Sequence, residues 1–298
     1  ELSLSAATRY SDYTTFGGTL NSKFGFTWKP IDQLLVRGTW AQGFRAPNLE
    51  QINATVITRS NSSNDYIYCE ALLRRGAITN MNQCGASTVS QIPNTFADKA
   101  NATQTHVRKL TAERRSGNPD LQPEESETTS VGVVIQPRFL PEQLGNFTVT
   151  ADLWKVEQTG MVGLFRGQNA LILDYLLRKS GGSNPNVIRA DPTAADQAIF
   201  AGTGLTPVGE VQYITDVYSN QQPQTVEGLD LGVMWNLRGT RVGDFSLNLN
   251  VSHLIKYYLE MSPGMQELQA ARDAGAIPAS ITFGGRMGDL INDLGRPE

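Results

Sequence analysis

Seven segments of this chain alternate apolar and polar residues with a period of two over unusually long runs, and this alternation constrains the fold more than any other feature. Leu2, Leu4, Ala6, Thr8 and Tyr10 interleave with Ser3, Ser5, Ala7 and Arg9; Phe24, Phe26 and Trp28 with Lys23, Gly25, Thr27 and Lys29; Leu34, Val36 and Trp40 with Arg37, Thr39 and Ala41. The pattern returns at Val131, Val133 and Ile135, at Phe147, Val149, Ala151 and Leu153, at Leu229, Leu231, Val233, Trp235 and Leu237, and at Phe245, Leu247, Leu249 and Val251. Successive side chains of a strand point to opposite faces, so each segment presents one apolar row and one row of uncharged polar residues or glycine. Many of the runs exceed the usual length of about 5 to 6 residues, and their second row suits a wet or polar-packed lumen.

The connections separate a barrel from a sandwich. They alternate in size: short at Pro30-Ile31-Asp32, long over 44–125, short over 138–145, long over 161–210, short over 238–244, with a tight hairpin over 13–18 as the one break in the series. Short turns at one end and long loops at the other is the asymmetry of an outer-membrane barrel. Loops of about 80 and about 50 residues lie far outside ordinary connection lengths and call for a functional reason.

Composition removes other classes. Charged residues are 18% and hydrophobic residues 40%, mean hydropathy is -0.28, and 11 Phe, 9 Tyr and 4 Trp are too many for a disordered chain. A net charge of -4 leaves no basic surface for nucleic acid. The most apolar local run, 161–177, is interrupted by Arg166, Gln168, Asn169 and Asp174, so no membrane helix is expected. The opening Glu1-Leu2-Ser3-Leu4 already alternates, which suggests residues 1–298 are a piece of something longer.

The loops carry signals of their own. Residues 168–179 read as a helix stopped by Gly181-Gly182; Asp191-Pro192 reads as the cap and first-turn proline of a second, ending at Gly202; Ser262-Pro263 starts a third that stops at Gly275. Both cysteines, Cys69 and Cys84, fall in the first long loop. Outside a cell they would oxidise, closing about 16 residues and contributing about 3 kcal/mol in the chain-entropy model. A zinc site is disfavoured because only His106 accompanies them, and no metal or cofactor is expected.

Five motifs in order resemble the TonB-dependent receptors. "ATRYSDYTTFGG" (7–18) is similar to their rim hairpin, and "FGFTWKPIDQLLVRGTWAQGFRAPNLEQI" (24–52) to their strand, proline turn, ascending strand and rim Phe44-Arg45-Ala46-Pro47-Asn48. "GNPDLQPE" (117–124) resembles the segment that re-enters the barrel after a long loop. "FTVTADLWKVEQTGMV" (147–162) and "VEGLDLGVMWNL" (226–237) resemble two further strands of the family. Pro119 and Pro123 stiffen the re-entrant segment, and its carboxylates are expected to stay in water at the rim.

The resemblance implies an all-β fold: a partial antiparallel transmembrane β-barrel, about seven strands of a barrel of about 22, with long, partly helical extracellular loops over about 44–125, 161–210 and 260–298. It implies part of an outer-membrane importer of a scarce substrate, by family default an iron siderophore, whose plug and TonB box are not among these residues. Outer-membrane lipid, the protein's own plug, the TonB complex and a small-molecule or oligosaccharide ligand would be its partners, in the outer membrane of a Gram-negative bacterium. A barrel adhesin or enzyme and a soluble β-sandwich binding module are the rival readings.

Candidate site residues follow from residue type. Tyr66, Tyr68, Phe96, His106, Arg108, Arg114 and Arg115 in the first long loop form an aromatic and basic set suited to an anionic siderophore or to stacking on sugars, or else to loop packing. Arg45 would contact ligand, plug or loop carbonyls. Asp152 and Asp230 share the lumen row and would face the plug. As a catalytic pair they lack a base or a metal cluster, and no enzyme motif occurs. Asn-x-Ser/Thr matches at Asn53, Asn61, Asn101, Asn146 and Asn250 carry no meaning in a bacterial barrel, and His253 reads as structural.

Overall fold

The computed structural model describes residues 1–14, 17–81, 108–285 and 287–291. Three strands open the chain: β1 (Leu2–Tyr13), β2 (Gly17–Ile31) and β3 (Leu34–Arg45). A first excursion then carries α1 (Leu49–Asn53), β4 (Ile57–Asn64), α2 (Tyr66–Arg74) and β5 (Arg108–Ser116). After it come β6 (Glu124–Ile135) and β7 (Asn146–Thr159). A second excursion holds β8 (Val162–Gly163), α3 (Gly167–Lys179), β9 (Val187–Arg189), α4 (Ala194–Phe200), β10 (Val211–Val217) and β11 (Ser219–Asn220). The strands β12 (Gln224–Thr240) and β13 (Gly243–Leu259) follow, and a third excursion contributes α5 (Pro263–Asp273) and β14 (Gly288–Asp289).

The seven expected strands form one antiparallel wall in the order β1-β2-β3-β6-β7-β12-β13, with the two-residue β14 added at the end. Register makes the alternation of each strand a property of the whole sheet. Leu2, Trp28, Val36, Val133, Ala151, Leu231 and Val251 are successive cross-strand partners, and one step along, Leu4, Phe26, Gly38, Val131, Leu153 and Leu229 form a parallel row. A one-residue slip at any ladder would move a whole strand's apolar set to the other face, so this continuity requires every register to agree. Gly38 lets the Phe26 ring lie flat against the sheet where any side chain would collide with it.

Among the described residues no second sheet covers this apolar face. Leu4 is 74% exposed, Leu153 53% and Leu247 55%, and no buried apolar side chain among the described residues lies on the seven long strands. A β-sandwich would press these rows into a dry core. Each Leu, Val or Phe gains about 1.5–3 kcal/mol on leaving water, so a face this wide is strongly favoured to be covered rather than left in water.

The buried core lies in the excursions instead. Tyr68, Leu72, Ile172, Tyr175, Phe200 and Leu268 belong to one cluster drawn from all three. A second sheet, β4-β5-β10-β9, ties the first excursion to the second through a parallel β5–β10 pairing in which Tyr213 faces Ala112 and Asp216 faces Arg115. The second excursion thus runs past residue 210 to the start of β12. At its centre Arg189 is 2.6 and 2.9 Å from the two oxygens of Asp65 and 2.8 Å from Asp174, joining β9 to the residue before α2 and to α3.

Helix starts follow local chemistry. α1 begins with a reciprocal pair in which Gln51 N donates to Asn48 Oδ1 (2.8 Å) and Asn48 N to Gln51 Oε1 (2.9 Å). α4 is capped by Thr193 rather than by the expected Asp191. Thr193 has a carboxylate three residues on, Asp196, whose Oδ2 accepts from Thr193 N at 2.7 Å, and Asp191 has no such partner. α3 and α5 lie where the sequence places them, α5 with Pro263 in its first turn. α2 starts after Asp65, whose side chain makes no capping hydrogen bond.

Candidate ligand-binding cavity at the rim

Two of the sequence motifs meet at the rim. Arg45 and Glu124 are cross-strand partners of β3 and β6, and Arg45 Nη2 lies 2.6 Å from both carboxylate oxygens of Glu124. Glu124 is buried and its Oε1 also accepts from Val162 N at 2.8 Å. Of the carboxylates expected in water, Asp120 and Glu125 are exposed, whereas Glu124 is withdrawn because the register delivers it to an arginine. Asn220 completes the tie: its Nδ2 donates to Gln122 O (2.9 Å) and Gly160 O (2.7 Å).

Above this clamp lies a cavity of about 970 Å³, walled by the rim end of β13, the segment 161–165 that follows β7 and the residues just before β12 on one side, and by β4, β5, the start of α3 and α5 on the other. Its lining combines amides (Asn61, Gln168, Asn169, Gln221, Gln222), the aromatic side chains of Phe165, Tyr218 and Tyr257, and the thioethers of Met161, Met261, Met265 and Met287. Gln168 Nε2 is buried with no hydrogen-bond partner among the described residues, an orphaned donor at this wall. Cavities of this size at the junction of two structural units are where small ligands bind.

A carboxylate pair underlies the cavity. Asp216 of β10 accepts from Phe165 N (3.1 Å) and Arg166 N (2.9 Å), holding the turn into α3 at Arg166, whose φ of 74° is the one positive value at a non-glycine residue among those described. Burial and the hydrogen bond it donates to Glu113 push Asp216 up to about 7. Burial acts against Glu113 too, but its bonds to Asp216, Arg115 and Asn61 outweigh this and hold it below the usual range.

Stability of the loop body therefore depends on pH. The folded state keeps on Asp216 a proton that the unfolded chain releases above 3.8, so its contribution is complete below that value and is lost as pH rises through about 7. Glu113 has the opposite sign but acts only below its ordinary 4.5. Between pH 5 and 7 stability is expected to fall with pH by at most about 1.4 kcal/mol per unit, one proton's worth. Asp216→Asn should flatten the slope, read by proteolysis of the loops across that range.

The expected site residues are distributed as follows. Arg115 lines the cavity, with Nη2 3.3 Å from Glu113 Oε1. Tyr66 and Tyr68 are packed in the loop core; the Tyr68 hydroxyl lies 2.7 Å from Asp196 and 2.6 Å from Val208 O, and burial together with Asp196 pushes its pKa up. Arg114 stacks on the Tyr213 ring at 3.6 Å. Arg108 begins β5. Phe96, His106 and Cys84 lie outside the described residues. Cys69 is fully buried and disulfide-bonded. Sequence reasoning missed the methionines, Asp216 and Glu113, which no local pattern links.

On the polar face Arg37 reaches across β6 to Asp152 through two hydrogen bonds of 2.8 and 2.6 Å, passing over Gly132, the cross-strand partner of both. Asp230 is the next residue along that row and makes no ion pair or hydrogen bond among the described residues. A Cβ at Gly132 would collide with the Asp152 carboxylate. Gly132→Ala is expected to break the bridge at a cost of about 1 kcal/mol or less, since the pair is partly exposed; urea unfolding of the full-length protein measures it.

No curated protein matches the sequence. Solved structures to which the chain is similar include the siderophore receptor PirA of Acinetobacter baumannii (12% identity, TM-score 0.48, 88% of this chain and 26% of that one). Others are a variant of the ferric enterobactin receptor PfeA of Pseudomonas aeruginosa (11%, 0.45, 86% and 24%) and the Serratia marcescens hemophore receptor HasR (12%, 0.40, 87% and 30%). The chain spans about a quarter of the length of the first two. A family model described as "TonB dependent receptor-like, beta-barrel" matches residues 1–286. With a single antiparallel wall, one continuous apolar face and three excursions gathered at one rim, the chain belongs to the TonB-dependent receptor β-barrel family.

Proposed function

We propose that this chain supplies part of the wall and the ligand-capturing loops of an outer-membrane active importer, driven through its plug by TonB, in a Gram-negative bacterium. The reading rests on one observation: a seven-strand face of uncovered apolar side chains backed by a polar face, with a folded body over one end. Lipid covers the first face, and the plug sits against the second, where Asp230 is a carboxylate unengaged among the described residues. The loop body lies outside the cell, where Cys69 pairs with Cys84. The role is transport rather than catalysis. A scarce small molecule or oligosaccharide is the cargo, an iron siderophore being the family's default. Deleting the gene and measuring growth and uptake on defined iron, vitamin and glycan sources tests this: loss of uptake of one class is expected, and unchanged uptake of all would overturn it.

A further inference from the structure

Resting on the import reading, the chemistry of the cavity wall narrows the cargo. We infer that the cavity takes a small ligand with no net negative charge, held by neutral amides and hydroxyls on its polar side and by methionine and aromatic surface on its apolar side.

Charge balance is the first argument. Among the described residues the wall carries two guanidinium groups, Arg115 and Arg166, and two carboxylates, Glu113 and Glu260. Arg115 is already committed to Glu113. What remains is one cation and one anion, with the Asp216 carboxyl directly beneath. Multiply charged anions are recognised by arginines in excess, whose forked donors answer the ligand's charge. A multiply charged anion here would lie beside Glu113, whose charge already takes up Arg115, and among the described wall residues would be answered by Arg166 alone, an arrangement that disfavours such a partner.

The neutral groups are the second argument. Gln168 Nε2 is a buried donor that none of the described residues uses, and Gln221 and Gln222 stand at the same wall. An amide donor needs only a carbonyl, ether or hydroxyl oxygen opposite it. Four of the chain's six methionines converge here from three separate stretches. Thioethers adapt to irregular shapes and pack favourably on ring edges, so they complement an apolar or ring face rather than a charge.

The test reads the wall's field without knowing the cargo. In the full-length receptor, Gln222→Cys, or Gln221→Cys if that variant does not fold, is labelled with a neutral methyl and an anionic sulfonatoethyl methanethiosulfonate. Exposed Ser180→Cys serves as the reference. The anionic-to-neutral rate ratio in the cavity is expected to be no higher than at position 180; a higher ratio would mean surplus positive charge and overturn the inference. The net charge of whatever cargo the deletion strain fails to import is the second readout, and a polyanion overturns the inference while leaving import intact. Labelling as expected with no uptake defect would sink the import reading alone.

Discussion

Arg189→Ala is expected to unfold the loop body while leaving the strand wall in place. Arg189 holds two carboxylates at once, Asp65 from the first excursion and Asp174 from the second, and Asp174 is wholly buried. Arg178 also reaches Asp174, at 2.8 Å, but among the described residues no other cation takes the place of Arg189 at Asp65. Removing the shared cation strands an anion inside the fold, which costs about 3–5 kcal/mol because the desolvation penalty stays while the attraction is gone. The wall does not depend on this contact, since its ladders run strand to strand. Hydrogen exchange in the full-length receptor should show protection falling on the order of 10²- to 10³-fold or more over β9, β10 and α3, with β6, β7 and β12 unchanged. Unchanged protection in the loops would contradict the assignment of Arg189 as their central tie.

The second large effect concerns the wall's outer face. Leu231 sits mid-strand in β12 between Ala151 and Val251, and its side chain belongs to the continuous apolar row. Leu231→Arg is expected to cost about 2–4 kcal/mol, the penalty for a cation near the middle of the hydrocarbon layer. Ser252→Arg tests the opposite face: Ser252 is exposed in these strands and lies beside Asp230, so a cation there meets a carboxylate on the polar, lumen side rather than hydrocarbon. Yield of folded receptor in the outer membrane, scored by heat-modifiable migration, should drop for the first variant and hold for the second. Equal tolerance of both would remove the distinction between the two faces.

The sequence made the wall legible because strand alternation is local: each apolar row is written within a dozen residues, and an antiparallel neighbour needs only a matching row. The rim clamp was half legible. Both motifs were readable around Arg45 and Glu124, but their pairing across 79 residues is set by the β3–β6 register, so Glu124 was expected in water. The loops were least legible. Tyr66 and Tyr68 have the residue type of ligand contacts, yet they are in the core because α3 and α4, more than 100 residues on, close over them. The cavity's methionines at 161, 261, 265 and 287 and the Glu113–Asp216 pair have no shared pattern in the chain, and only the joining of the excursions brings them together.

The most direct test of this account is a scan of spin labels placed singly at 229 to 234 along β12 of the full-length receptor in lipid. Accessibility to oxygen should peak at 229, 231 and 233, and accessibility to a polar nickel reagent at 230, 232 and 234. Uniform burial of the 229, 231 and 233 labels from both reagents would place the apolar row in a protein core and contradict a wall that faces lipid.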